Sequence, residues 1–149
     1  MKNAAVINCL GYAGLIPFLA AASAMLGDYT LFQSSPALIF LTYSAIILSF
    51  LGGTLWGKAR ELADSYLSAG LLLLSNLLAL TAWMILLLGE TFIVPGLLIA
   101  LIGYAILCAV EWLSASKVLG GVGESYLRFR LTLTLVVCLA HAVVIYAAL

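Results

Sequence analysis

The sequence predicts an all-α integral membrane protein: one domain over residues 1–149, a five-transmembrane-helix bundle with its N-terminus cytoplasmic and its C-terminus periplasmic. Three observations predict it. Of 149 residues, 66% are hydrophobic and only 8% are charged, whereas soluble domains carry about 25% charged residues. The charged side chains, 6 Lys and Arg and 6 Asp and Glu, fall in short segments between long apolar runs. Counting the runs as crossings puts all 6 Lys and Arg on one side of the bilayer, as the positive-inside bias requires of a cytoplasmic face. A water-soluble surface cannot be built from such a composition, and hydrocarbon is the natural solvent for the runs.

Each run is long enough to cross about 30 Å of hydrocarbon at 1.5 Å per residue. The first spans residues 4–26. Met1-Lys2-Asn3 ahead of it, and Ala20-Ala21-Ala22-Ser23-Ala24 near its end, resemble a secretory signal and its small-residue cleavage site. The run exceeds the roughly 7–15 apolar residues of a signal core, and Gly11, Gly14 and Pro17 interrupt it, so a retained helix is expected. Pro17 denies the Ala13 carbonyl its helical donor, which predicts a kink near mid-membrane.

The second run, 37–56, places Ala45, Ser49, Gly53 and Gly57 at every fourth position with Gly52 alongside. Such a stripe lets another backbone approach closely, which is how membrane helices gain packing energy where lipid is as apolar as leucine. It reads as a helix-packing seam; the functional alternative is a glycine-lined passage. The third run, 67–88, carries Ser75, Asn76 and Trp83, which with Asn8 of the first could hydrogen-bond across the bundle. Bonds of that kind contribute about 0.6 kcal/mol on average in membranes, enough for packing and no sign of catalysis. The fourth run, 92–112, has a stripe of Gly96, Ala100, Tyr104, Cys108 and Glu111 that turns polar toward the cytoplasm, and the fifth is 131–149.

The runs are continuously apolar rather than alternating, and a helix satisfies its backbone within itself, so helices are predicted and not barrel strands. The longest connection, from Leu113 to Arg130, is too short for a soluble domain. Lys2, Lys58, Arg60, Lys117, Arg128 and Arg130 lie on the first side, against Asp28 and Glu90 on the other. Trp56, Trp112, Tyr126 and Phe129 mark the cytoplasmic boundary and Tyr29, Phe32, Phe92 and Tyr146 the outer one, as aromatic belts. An Arg- and Ser-rich presequence is missing, which places the chain in a bacterial inner membrane as a multi-pass protein. No fixed-period repeat is visible, and five helices do not divide into the matched halves of many secondary transporters.

Few residues could carry chemistry. Glu111 is an acidic residue at the end of an apolar run, at a helix C-terminus where the macrodipole disfavours negative charge. It calls for a cation, and Arg130 or Arg128 lies at the same depth; a structural ion pair is the plain reading, a proton- or solute-handling carboxylate the other. His141, the one histidine, lies about 16 Å beyond Arg130 along a helix and shares a face with Thr134 and Cys138. A neutral ring bonded to a neighbouring helix is the structural reading, an intramembrane proton carrier the functional one.

Cys9, Cys108 and Cys138 lie inside apolar runs and are odd in number, so neither a disulfide framework nor more than small buried hydrophobes is indicated. Cys108, Cys138 and His141 sit at different estimated depths, about 6, 12 and 16 Å from the cytoplasmic ends of their helices. Cys-x-x-Cys and His-x-x-x-His spacings are absent, so no metal is expected. One histidine cannot supply bis-histidine haem, and the sequence offers no Ser/His/Asp set, phosphate loop or paired carboxylates. No cofactor is expected, and zero net charge without a basic tract gives no footprint for nucleic acid.

Gly11-Tyr12-Ala13-Gly14-Leu15-Ile16-Pro17-Phe18, Tyr43-Ser44-Ala45-Ile46-Ile47-Leu48-Ser49-Phe50-Leu51-Gly52-Gly53 and the following Trp56-Gly57 resemble the family catalogued as domain of unknown function 3429. Ser75, Trp83, Tyr126-Leu127-Arg128-Phe129-Arg130 and Leu133-Thr134 extend the resemblance over nearly the whole chain. Ser125 stands where the family pattern has tryptophan, and the third run lacks a proline common there. The resemblance implies kinship with bacterial inner-membrane proteins and the mitochondrial transmembrane protein 69, and a compact helical bundle, but no activity. Three functions then compete. The first is a non-enzymatic component that binds lipid, a membrane-protein partner or its own copy through small-residue faces. The second is a carrier or channel for a small solute or proton past Glu111, Arg130 and His141. The third is a quinone- or lipid-handling protein. A shared water-filled cavity at Glu111, Arg130 and His141 would favour the carrier, and dry packing would sink it.

Overall fold

The computed structural model describes residues 2–62, 65–113 and 124–149; Lys117 and Asp64 lie outside the described residues. The described chain is helical: α1 (Lys2–Ala13), α2 (Ile16–Leu26), α3 (Pro36–Glu61), α4 (Tyr66–Leu88), a 3₁₀ turn (Gly89–Phe92), α5 (Ile93–Leu113) and α6 (Glu124–Ala148). Four stretches among the described residues are long and apolar enough to cross a membrane: Ala5–Leu26, Pro36–Glu61, Tyr66–Leu113 and Ser125–Ala148. The third comprises α4, the 3₁₀ turn and α5.

The first run is not one kinked helix but two. Pro17 has no N–H for the Ala13 carbonyl, and the helix breaks upstream at Gly14–Leu15, where the Leu15 N–H tightens onto the Tyr12 carbonyl at 3.0 Å. The Gly14 carbonyl is taken up from α3, accepting from the Tyr43 hydroxyl at 3.0 Å.

Helix α3 starts where Ser35 Oγ accepts from the Leu38 N–H at 3.2 Å, with Pro36 in the first turn. It runs to Glu61, five residues beyond the expected 56, with Lys58 and Arg60 in its last turn. Charge ends the apolar run but not the helix, because Lys, Arg and Glu are good helix formers and cations suit a C-terminus. Ser65 caps α4 in the same way as Ser35 caps α3, and Ser68 Oγ donates to the Ala59 carbonyl at 2.9 Å, tying the end of α3 to the start of α4. For the same reason α6 begins at Glu124, before the expected 131, and carries Tyr126 to Arg130 as helical residues.

Between α4 and α5 the chain turns at Gly89 (φ +51°, ψ −140°), a conformation cheap only for glycine. Helix α3 is the hub, packing on α2, α4 and α5, while α6 packs on α5 and α2 and touches α1. The core is Phe18 of α2, Phe40, Leu41, Ala45, Leu48 and Leu55 of α3, Ile85 of α4, Leu97, Ala100 and Leu107 of α5 and Val144 of α6. Outside it, large apolar side chains stand bare around the bundle, among them Leu10, Phe50, Leu73, Trp83, Ile102 and Leu139, each more than half exposed. An apolar girdle of that extent belongs in lipid.

The small-residue stripe of α3 splits between two faces. Ala45 is fully buried, Ser49 half-buried, and a Cβ on Gly52 would stand 3.2 Å from the Ser75 carbonyl of α4. Added Cβ atoms on Gly53 and Gly57 meet nothing within 4 Å. Each step of four residues rotates about 40° around the axis, so Gly57 sits about 120° from Ala45, whereas Gly52, seven residues on, returns to within about 20°. Helix α5 also packs tightly on α3: Cβ atoms at Gly96 and Gly103 would stand 3.0 Å from the Leu41 side chain and 2.8 Å from that of Leu48.

Candidate functional site

Three features of the bundle combine polar groups with enclosed space. The first is an ion cluster at the end of α5. Glu111, 6% exposed, receives the Arg130 guanidinium on one oxygen, Nε at 3.0 Å and Nη2 at 2.8 Å from Oε2. Lys58 Nζ of α3 stands 3.9 Å from Oε1, over the Tyr126 ring at 5.4 Å. The acidic residue that needed a cation thus has two. Arg128 is exposed, and its carbonyl accepts from Thr132 Oγ1 at 2.9 Å; of the two arginines, Arg130 engages the carboxylate. Lys58 was invisible to the one-dimensional reading because it comes from a helix more than fifty positions away in sequence.

The second feature lies deeper. His141 is fully buried, with Nδ1 2.8 Å from the Val137 carbonyl and Nε2 2.9 Å from Ser44 Oγ. A carbonyl only accepts, so Nδ1 carries the hydrogen, and a neutral ring then accepts from the Ser44 hydroxyl. The Ser44 carbonyl in turn accepts from the Tyr104 hydroxyl at 2.9 Å, so the chain of bonds joins α6, α3 and α5. Phe40, Tyr104 and Phe18 enclose the imidazole, with ring centroids 4.7, 5.5 and 6.1 Å away. A serine hydroxyl on a histidine nitrogen is the geometry of an activated nucleophile. Here both groups are fully buried and closed in by aromatic rings, and the pair works as a staple between helices.

The third feature is a cavity of about 160 Å³ walled by the α1–α2 break (Leu10, Gly11, Gly14, Leu15, Phe18), by α3 (Ile47, Phe50, Leu51), by Tyr104 and by α6 (Arg130, Leu133, Thr134, Val137). The polar side chains among its walls are those of Arg130, Thr134 and Tyr104, and two other walls, Leu10 and Phe50, are mostly exposed on the apolar outer surface. Glu111 and His141 are not among its walls. The structure places Glu111 with Arg130, Arg130 with Thr134 at the cavity, and His141 about 16 Å along α6 from Arg130, behind the walls Phe18, Tyr104 and Val137 that it contacts.

Other expected features fall differently. Cys9 is exposed on α1 rather than buried. Cys108 and Cys138 line one shallow groove between α5 and α6 together with Thr134. Asn76 does not reach across the bundle but donates to its own helix, Nδ2 to the Leu72 carbonyl at 2.8 Å. Among the described residues, no group of three or more His, Cys, Asp or Glu could hold a metal ion.

The family described as "Protein of unknown function (DUF3429)" matches residues 3–146, almost the full chain. This chain belongs to that family. No curated protein and no solved structure matches it. For a DUF3429 member the site must be read from its own geometry, and here that geometry brings together several residues on which the resemblance rests. Tyr43 holds the α1–α2 break, Ser44 holds His141, and Phe129 packs its ring edge-on to Tyr12 with centroids 5.3 Å apart. Phe129 also covers Gly11, where a Cβ would collide with the ring.

Proposed function

We propose that this DUF3429 protein is a non-enzymatic component of the bacterial inner membrane, crossing it five times with the N-terminus cytoplasmic, and that it binds lipid through the cavity between its N-terminal helix pair and α6. The five crossings are supported by the stretch Tyr66–Leu113, which at 1.5 Å per residue gives about 72 Å of helix where about 30 Å suffices. It is broken at Gly89–Phe92 into two helices that pack on each other, as a hairpin passing twice would be.

The observation that carries the binding role is the cavity itself: an apolar pocket opening past Leu10 and Phe50 to the lipid face, with a guanidinium at one end. A carrier needs Glu111 and His141 on one wetted route. The carboxylate is instead ion-paired at 2.8 Å and the imidazole is enclosed by aromatic rings. A second reading, binding of a membrane-protein partner or a second copy, is favoured by the open small positions Gly53 and Gly57 on the outer face of α3, which leave backbone for another helix to approach.

Native mass spectrometry of the protein extracted from its own membranes tests both. We expect one retained lipid per chain after collisional removal of detergent. A chain that sheds all lipid yet holds a second copy or another protein would replace the first reading with the second.

A further inference from the structure

The following rests on the lipid-binding reading and names the ligand. We propose that the cavity takes the upper part of one acyl chain of an anionic phospholipid from the surrounding bilayer, with the lipid phosphate held by Arg130.

Size comes first. A cavity of about 160 Å³ is close to the roughly 150 Å³ that holds one benzene, which is room for about six carbons. Pockets for whole drug-sized ligands are about 300–1,000 Å³, so this one suits a stretch of chain with the rest of the lipid left in the bilayer. Depth agrees: Arg130 and Val137 are both walls, about 10 Å apart along α6, with the charged residue at one end and Phe18 and Val137 at the other. Access agrees too, since the exposed walls Leu10 and Phe50 let a chain enter sideways from lipid.

Charge then selects the headgroup. Glu111 is shared by Arg130 and Lys58, two cations to one carboxylate among the described residues, and of the three Arg130 is the one that lines the cavity. Arginine has five N–H donors in a fork that fits phosphate, and Arg130 commits two of them to Glu111. Its side chain is 14% exposed and lines the cavity, so the guanidinium is within reach of a ligand there. A phosphate at that place gains charge-assisted hydrogen bonds; a zwitterionic lipid offers the same phosphate but sets a cationic choline or ethanolamine beside Arg130 and Lys58, which they repel.

The test is competition in vesicles of equal phosphatidylglycerol and phosphatidylcholine, followed by extraction and native mass spectrometry of the full chain. Wild type should retain one phosphatidylglycerol in roughly tenfold preference, the order of one charge–charge interaction near a protein surface. Arg130→Gln should lose the preference. Because that change strands a buried carboxylate, the double variant E111Q/R130Q keeps the pair neutral and leaves Lys58 in place; it too should lose the preference if Arg130 makes the contact. Ile47→Trp, which fills the cavity from α3, should abolish retention of both lipids. Equal retention of the two headgroups by wild type, or a preference that survives in the double variant, overturns the headgroup assignment and leaves chain binding standing. Retention of neither lipid by wild type, with Ile47→Trp no different, overturns the lipid-binding reading beneath it.

Discussion

At the scale of single residues, the ion cluster is asymmetric, and that asymmetry predicts unequal losses. Arg130 places two bonds on one oxygen of a carboxylate that is 6% exposed. Removing one partner of a buried pair leaves an uncompensated charge, at a cost of about 3–5 kcal/mol. Lys58 stands 3.9 Å away with a side chain 25% exposed, a geometry in which solvent screening holds the contribution to about 0–1 kcal/mol. Unfolding by graded SDS in mixed micelles should therefore rank Arg130→Ala and Glu111→Ala far below wild type and leave Lys58→Ala within about 1 kcal/mol of it. Equal losses for Lys58→Ala and Arg130→Ala would mean that the cation pair shares the carboxylate evenly. The need of Glu111 for a cation was legible in the sequence because it follows from position alone: a carboxylate at the end of an apolar helix. The partnership of Ser44 with His141 was not, since 97 residues separate them and neither carries a local signal of the other. Tyr43 and Tyr104 were equally silent, because a tyrosine in an apolar run does not announce which carbonyl its hydroxyl will meet.

At the scale of helices, what decides packing is which small residues face a neighbour, and the stripe read from α3 illustrates the limit of spacing. Four-residue spacing marks a helix face only over two or three steps before it rotates away, so Gly53 and Gly57 share the pattern of Ala45 without its surroundings. Seven-residue spacing holds the face, as Gly96 and Gly103 of α5 do against Leu41 and Leu48. The signal for Gly103 was in the sequence, one heptad after Gly96. Alanine substitution separates the two kinds of glycine. At Gly103 the new methyl meets the methyls of Leu48, itself fully buried, which must shift within the core, and overpacking of that kind costs about 1–3 kcal/mol. At Gly53 the methyl enters open space, and helix propensity favours alanine by up to about 1 kcal/mol. The same SDS titration should show Gly103→Ala destabilised and Gly53→Ala unchanged or firmer; a matching loss at Gly53 would place that glycine in a contact between chains. Helix ends were the least legible feature of the elements, for one reason throughout. Apolarity reports where hydrocarbon stops, whereas Ser35, Ser65 and the helix-forming Lys, Arg and Glu report where the backbone hydrogen bonding starts and stops.

At the scale of the whole molecule, topology turns on the count of crossings through Tyr66–Leu113. A single tilted passage of this stretch would give four crossings and return the C-terminus to the side of the N-terminus; a hairpin gives five and sends it across. The hairpin is favoured by length, by the glycine turn with φ +51° and by charge. With five crossings Lys58, Arg60, Arg128 and Arg130 share a side, and the ion cluster ties the end of α3, the end of α5 and the start of α6 at one depth. In the proposed topology those three helix termini meet because α4 returns through α5, so that α3 and α5 run in the same direction and α6 opposite to both. Four crossings would put the end of α5 about 30 Å across the membrane from Lys58, whereas the two stand 3.9 Å apart, which supports the proposed hairpin. A reporter that is active only outside the cytoplasm, fused after Leu149, should therefore be active, and the same reporter inserted between Leu62 and Ser65 should be silent. Activity at Leu62–Ser65 with silence after Leu149 would invert the molecule, and silence at both would leave four crossings and set the ion cluster against the topology.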